Sequence, residues 1–151
     1  MREFHRAPPM MRAHALEAVK PGFRAVFAQF DMTETQWRVL RILWENDGRG
    51  LMELARATLV SAPSLVGVIS RMARDGLVVR ERSTADRRQI TVRLTPKGRA
   101  LEKRIMPLVE TVYAELEEAM TPAQWRGFYQ ALDALEDWAQ KRGAQKRKSQ
   151  E

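Results

Sequence analysis

Residues 61–95 constrain the fold more than any other part of the chain. They open with SAPSLVGVISRMARDG, where Leu65, Ile69 and Met72 recur at helical spacing and Gly76 supplies a stop. The pattern then changes to an alternation with a period of two, before and after a loop rich in arginine. A short amphipathic helix followed by a hairpin is typical of a winged helix-turn-helix. The sequence therefore predicts a mainly α fold with a small β-hairpin wing, in the α+β class.

The segment before this helix supplies its partner in a helix-turn-helix. Residues 51–59 predict a short helix, which Val60 and Ser61 join to the next one. In such a unit the second helix enters the major groove of DNA. With the apolar stripe buried, the residues expected to face DNA are Ser61, Pro63, Ser64, Gly67, Ser70, Arg71 and Arg74, together with Arg80 on the first strand of the hairpin. The alternative for the helix alone is a solvated amphipathic surface.

The loop of the hairpin carries three charged residues in a row. Asp86, Arg87 and Arg88 lie near the tip of STADRRQ. An arginine on a narrow finger can enter the minor groove, where the negative potential of DNA is focused. Asp86 would pair with Arg88 and hold the loop in shape. These three residues complete the predicted DNA-binding set, and an ordinary polar hairpin tip is the alternative.

Charge is distributed unevenly along the chain. Residues 61–99 contain nine Lys or Arg and three Asp or Glu, so they hold most of the net charge of +7. Residues 100–140 contain three basic and eight acidic residues. A polyanion is therefore expected to bind the middle of the chain, with the acidic segment facing away from it.

Several classes of function are excluded or disfavoured by composition. The chain has no cysteine and two histidines, which excludes thiol chemistry and cysteine-based zinc sites. We find no nucleophile–base pair and no phosphate loop, so we predict no enzyme, no cofactor and no metal site. No apolar run approaches the ~18 residues of a membrane span, and the start of the chain lacks an apolar leader, so a cytoplasmic location is expected. A winged-helix module that binds protein and a general architectural DNA protein remain as alternatives.

The flanking segments predict long helices outside the DNA-binding unit. Apolar residues recur at helical spacing in 11–30, which Pro21 interrupts, and in 96–142, which contains Pro107. Such helices need a partner surface, and a two-fold dimer matches the symmetry of a palindromic operator. We therefore predict a single domain, residues 1–151, with its parts as follows: a DNA-binding lobe at 33–99, dimerisation helices at 11–30 and 96–142, and a basic disordered tail at 143–151.

Three segments resemble the MarR family of bacterial transcriptional regulators. They are TETQWRVLRILWEN, PSLVGVISRMARDGLVVR and DRRQITVRLTPKGRAL, and the resemblance covers roughly residues 12–142. It implies a homodimer that binds a short DNA palindrome, usually represses, and loses DNA affinity when a small aromatic carboxylate binds. Within the family, the first two segments are most similar to regulators of 4-hydroxyphenylacetate and homoprotocatechuate catabolism. A repressor of an efflux or stress-response operon is the alternative within the family.

The resemblance also implies an effector pocket between the dimerisation helices and the DNA-binding lobe. An aromatic acid requires an apolar slot and at least one cation or hydrogen-bond donor. The candidates to line this pocket are Phe23, Arg24, Trp37, Arg38 and Arg41. The alternatives are a core position for Trp37 and arginines that face solvent or DNA.

Overall fold

The computed structural model describes residues 4, 7–82 and 90–148. Within them, six α-helices and three strands follow one another along the chain. They are α1 (Pro8–Ala28), α2 (Glu34–Glu45), β1 (Arg49–Gly50), α3 (Leu51–Thr58), α4 (Ala62–Arg74), β2 (Val78–Arg82), β3 (Ile90–Leu94), α5 (Pro96–Glu117) and α6 (Pro122–Lys148). The chain divides into two compact units, Met1–Val112 and Tyr113–Glu151. In the described residues no single helix is long and apolar enough to cross a membrane. Helices α3 and α4 together reach that length and apolar composition, but they are bent by 107° relative to each other.

The predicted fold class is confirmed, because the described chain is mainly helical with one small antiparallel sheet. Strands β2 and β3 form the predicted hairpin, with Val78 opposite Leu94 and Arg82 opposite Ile90. The sheet has a third strand, β1, which pairs with the other edge of β3 and gives the order β1-β3-β2. Strand β1 was not predicted, because two residues are too few to show a period.

Side-chain caps fix the start of the helices that carry the site. Thr33 and Gln36 form the predicted capping box at the start of α2, with the Thr33 N–H donating to Gln36 Oε1 at 2.8 Å. Ser61 caps α4, and Pro63 lies in the first turn, where a missing N–H costs nothing. The α3–α4 turn passes through Leu59, whose φ of 57° is left-handed. The Ser61 cap and the left-handed Leu59 together define the turn between α3 and α4.

The core of the first unit lies where α4, the sheet and α2 meet. The predicted stripe of α4 is buried, with Leu65 and Met72 fully enclosed and Ile69 at 1 % exposure. Large side chains from five elements complete this core, namely Leu40, Leu43, Leu54, Val78, Val92 and Ile105. Burial of a side chain of this kind contributes about 1.5–3 kcal/mol, so the core holds α4 firmly against the lobe.

The base of the hairpin is held by one carboxylate and one glycine. Oδ1 of Asp47 accepts hydrogen bonds from the N–H groups of Gly48 and Leu94, at 2.8 and 2.9 Å, and Oδ2 pairs with Arg99. Asp47 therefore fastens the end of α2 to the end of β3 and the start of α5. Gly98, in the first turn of α5, lies directly against the carbonyl oxygen of Leu77.

Three helix boundaries differ from the predicted ones. Helix α1 begins at Pro8 rather than residue 11, because prolines are well suited to a first helical turn. It ends at Ala28 rather than residue 30. Pro21 and Pro107 lie inside α1 and α5, each of which is assigned as one helix. Helix α6 continues to Lys148, so residues 143–148 are helical where a disordered tail was predicted. The residue types in this stretch, apart from Gly143, favour a helix.

Candidate nucleic-acid interface and effector site

Helix α4 presents the predicted DNA-facing residues away from the core. Ser61, Pro63 and Ser64 are exposed at its start, and Arg71 and Arg74 are exposed towards its end, as is Arg80 on β2. Gly67 and Ser70, between them, are half-buried. All eight predicted residues of the helix and first strand are therefore accessible from one outer surface, which we call the α4 face. It consists of the outward residues of α4 together with Arg80.

Two hydrogen bonds organise the α4 face. The Ser61 hydroxyl donates to Ser64 Oγ at 2.8 Å, which orders the first turn. Arg80 Nη1 donates to Ser70 Oγ at 2.9 Å, across ten residues of chain. The second bond joins the hairpin to the recognition helix and fixes the Arg80 guanidinium beside it, so both elements present their cations together.

The two arginines of α4 have no carboxylate partner among the described residues. Arg71 lies along the helix, so that a side-chain carbon placed at Gly67 would come within 3.9 Å of its Nη1. Asp75, the residue that follows α4, is exposed and forms no ion pair with either arginine in the described part of the chain. An unpaired guanidinium is available for a phosphate or for the edge of a guanine base.

The tip of the hairpin lies outside the described residues. Asp86, Arg87 and Arg88 all fall there, so their assignment to the minor groove stays a prediction. At the described part of the hairpin, Arg93 Nε pairs with Glu81 Oε2 at 2.9 Å across the two strands. This pair neutralises one cation of the basic segment and leaves it less suited to DNA.

An aromatic chain runs from α1 through α2 and includes two of the five predicted effector residues. Ring centroids of Phe23 and Phe27 lie 6.2 Å apart, those of Phe27 and Trp37 5.2 Å, and those of Trp37 and Trp44 5.6 Å. Trp37 is only 7 % exposed. The indole N–H of Trp44 donates to the Gly98 carbonyl at 3.0 Å, so the chain of rings reaches the first turn of α5. Trp37 is thus a core residue, and little of its surface is available to a ligand.

Arg41 lies over the Trp37 ring. Its guanidinium carbon is 5.9 Å from the centre of a Trp37 ring, close enough for a cation–π contact. Its Nη2 donates to Glu45 at 2.9 Å, and its Nη1 lies 3.7 Å from the sulfur of Met106 on α5. The Glu45 side chain is 66 % exposed, so a ligand carboxylate can replace it without burying a lone charge. Arg41 therefore offers a half-buried cation beside an aromatic surface.

The remaining two candidates are placed differently. Arg38 Nη1 donates to the carbonyl of Thr58 at 3.1 Å, at the end of α3, and its other nitrogen pairs with Glu34. Arg38 thus joins α2 to the turn of the helix-turn-helix. Arg24 is exposed on α1. The structure brings Phe23, Trp37 and Arg41 into one chain of contacts and leaves Arg24 and Arg38 outside it.

A separate cleft of about 500 Å³ lies near the start of α5. Its apolar wall includes Phe30, Met32 and Leu101, and its charged rim includes Asp31 and Arg104, whose guanidinium carbon lies 5.5 Å from the Phe30 ring centre. None of the five predicted effector residues is among its lining. No local pattern predicts this cleft, because its residues come from three segments, 28–36, 75–77 and 97–104, that are distant along the chain.

Comparison with known proteins decides the family. Residues 32–90 match the model of the MarR family. Over 107 residues the chain is 37 % identical to the homoprotocatechuate degradative operon repressor of Escherichia coli, and the match covers 71 % of this chain and 72 % of that protein. The chain belongs to the MarR family. It is therefore a transcriptional regulator with a winged-helix fold, and not an enzyme.

Two solved structures that are similar to this chain contain a bound small molecule or DNA. NadR in complex with 4-hydroxyphenylacetate superposes with a TM-score of 0.76 at 30 % identity, covering 89 % of this chain and 96 % of that one. The repressor CouR bound to a 23-mer DNA duplex superposes with a TM-score of 0.79 at 28 % identity, covering 89 % and 97 %. Close relatives with the same fold are thus known with an aromatic acid and with DNA.

One exposed residue of the α4 face was missed by the sequence analysis. Val66 is 42 % exposed, although its neighbours Leu65 and Val68 are buried. A signal was present in the sequence, because Val66 lies three residues after Pro63 and four before Ser70, both assigned to the outward face. An apolar side chain does not by itself indicate an exposed position.

Proposed function

We propose that this MarR-family protein is a homodimeric repressor that binds a palindromic operator and releases it when a small aromatic carboxylate binds. The observation that carries the proposal is the α4 face, where small accessible residues lie beside the unpaired Arg71 and Arg74 and the Arg80 guanidinium held by Ser70. Small side chains permit close approach to base edges, and cations neutralise phosphates. We place its operon in aromatic catabolism, because its relatives include a homoprotocatechuate operon repressor and a protein crystallised with 4-hydroxyphenylacetate.

DNA binding is tested directly with the DNA upstream of the gene. Fluorescence anisotropy should show tight binding of labelled upstream DNA that survives an excess of unrelated competitor DNA. Specific binding is typically 10³–10⁷ times tighter than non-specific binding, so the two are easily separated. Equal binding of both DNAs would favour an architectural protein, and no binding of either would favour a protein-interaction module.

The homodimer is supported by an apolar strip on α6. Phe128, Leu132 and Leu135 are 43 %, 40 % and 59 % exposed, and they recur at spacings of four and three. Tyr129 and Trp138 flank this strip at 57 % exposure each. A contiguous exposed apolar surface of this kind marks a protein interface, since helix faces are otherwise polar.

Leu132→Glu is expected to convert the dimer to a monomer. It places a charge in the centre of the strip, where burial without a partner costs several kcal/mol. Size-exclusion chromatography with light scattering should give about 17.4 kDa for the variant and twice that mass for the wild type. Gln130→Glu is the matched control, because it adds the same charge on the opposite side of α6 and should leave the dimer intact. A wild-type protein that is monomeric at micromolar concentration would contradict the proposal.

The effector site is proposed at Arg41, beside the small accessible part of Trp37. A ligand carboxylate would displace Glu45 from Arg41, and the aromatic ring would lie on Trp37 and Met106. Both arginines of α2 then matter for the outcome, because Arg38 bonds to the end of α3. Any tilt of α2 caused by the ligand is passed to α3 and α4, which would favour a spacing of the two recognition helices that no longer fits the operator.

Arg41→Met is expected to weaken the effector at least tenfold while operator binding is preserved. The substitution keeps the apolar stem and removes the charge-assisted hydrogen bonds, which contribute about 1.5–3 kcal/mol. Isothermal titration with 4-hydroxyphenylacetate measures the effect, and release of operator DNA by the same acid is the second readout. Arg104→Met is the comparison variant, because it makes the same change in the cleft near α5. Loss of binding in Arg104→Met alone would move the site to that cleft.

The regulated pathway is tested by the choice of ligand and by the genes nearby. Thermal unfolding should shift upwards with 4-hydroxyphenylacetate or homoprotocatechuate, because a ligand that binds only the folded state stabilises it. A divergent operon for aromatic catabolism beside the gene would agree with this result. An adjacent efflux pump, with no shift from either acid, would favour the efflux or stress-response alternative.

A further inference from the structure

The first two turns of α4 expose apolar side chains beside Ser64. Pro63 is exposed, Val66 is 42 % exposed, and Gly67 has no side chain. These turns are the part of a recognition helix that reaches base edges in a helix-turn-helix. Helix α4 contains no Asn, Gln, Asp, Glu or Lys, so the usual bidentate partners of adenine and cytosine are missing there.

The polar side chains close to this apolar surface already have partners. The hydroxyls of Ser61 and Ser64 are bonded to each other, and Ser70 Oγ accepts from Arg80. The two cations of α4, Arg71 and Arg74, lie in its last turn. Among the described residues, the apolar side chains that can contact a base edge at the front of α4 are therefore Pro63 and Val66, beside the hydroxyl of Ser64.

The major groove has one apolar feature that depends on sequence, the C5-methyl group of thymine. We propose that Val66, supported by Pro63, reads the methyl group of a thymine at a fixed position in each operator half-site. Burial of Val66 against this methyl group removes apolar surface of both partners from water. The inference deepens the proposed function, because it rests on operator binding through α4 and names what one residue recognises.

The test removes one methyl group at a time from the DNA. Footprinting on the upstream DNA first locates the operator, and each thymine of the half-site is then replaced, symmetrically, by deoxyuridine. Loss of one buried methyl group weakens binding about fourfold per half-site. We expect this penalty for the wild type at one thymine, or at two adjacent ones. Anisotropy titrations supply the dissociation constants.

The Val66→Ala variant identifies the residue that reads the methyl group. It should bind the thymine operator about sixteenfold more weakly, which is fourfold for each half-site, and lose the deoxyuridine penalty at that position. The salt dependence should stay unchanged because no phosphate contact is removed. Val79→Ala on β2 is the matched control, since Val79 is 43 % exposed and loses the same two methyl groups. It should retain the full penalty. A half-site without any such penalty, or a penalty that persists in Val66→Ala, would overturn the proposal. Wild-type protein that does not bind the upstream DNA specifically would overturn the proposed function as well.

Discussion

Gly98→Ala is expected to destabilise the protein by about 3 kcal/mol, at the upper end for an overpacked site. A Cβ at this position would lie 2.1 Å from the carbonyl oxygen of Leu77 and 3.2 Å from Cδ2 of Leu94. The Leu77 oxygen is not free to move, because it accepts the N–H of Thr95 at 3.1 Å. The new methyl group therefore forces the start of α5 away from the sheet or breaks the bond that closes it.

Thermal and urea unfolding measure this effect. The melting temperature should fall by about 10 °C in a chain of this size, and the urea midpoint should fall with it. Gly127→Ala is the matched control, because no atom lies within 4 Å of the added carbon on α6. That variant should be stabilised by up to about 1 kcal/mol through helix propensity. Equal stability of the two variants would show that the contact between Gly98 and Leu77 is looser than described.

Arg71→Ala and Arg74→Ala are each expected to weaken operator binding by about 1–3 kcal/mol. Both guanidinium groups are exposed on the α4 face and lack a carboxylate partner among the described residues, so both are available to DNA. A loss restricted to the operator would identify a base contact. A loss shared with unrelated DNA, together with a salt dependence reduced by about one unit of slope, would identify a phosphate contact.

Mobility shifts or anisotropy over a series of salt concentrations separate these outcomes. Arg126→Ala on α6 is the control, because it removes an exposed arginine outside the basic segment. It should change neither affinity nor slope. If both α4 variants bound like the wild type at low and at high salt, the assignment of α4 as the recognition helix would be wrong.

The local parts of the fold could be read from the sequence, because they depend on neighbours within a few residues. The spacing of Leu65, Ile69 and Met72 predicted the buried stripe of α4, and the residue types at Thr33 and Ser61 predicted the caps. The outward set on α4 followed from the same periodicity. Exposure of a helix face is a local property once its apolar side is known.

The parts that could not be read depend on contacts between distant residues. Arg38 reaches Thr58, twenty residues away, and Arg41 reaches Met106, which is sixty-five residues away. No local pattern distinguishes an arginine that caps a neighbouring helix from one that lies over a tryptophan. Trp37 illustrates the same point, since aromatic character predicted both a ligand contact and a core position, and the structure places it 7 % exposed between Phe27 and Trp44.

The way Asp47 fastens the hairpin has a consequence for how this regulator can be altered. Its carboxylate holds the end of β3 and the start of α5, and the strand pairing from Val78 to Arg82 sets the register above that point. Asp47 therefore couples the hairpin to α5. A change at this one side chain would alter the last strand of the sheet and the first turn of the following helix together.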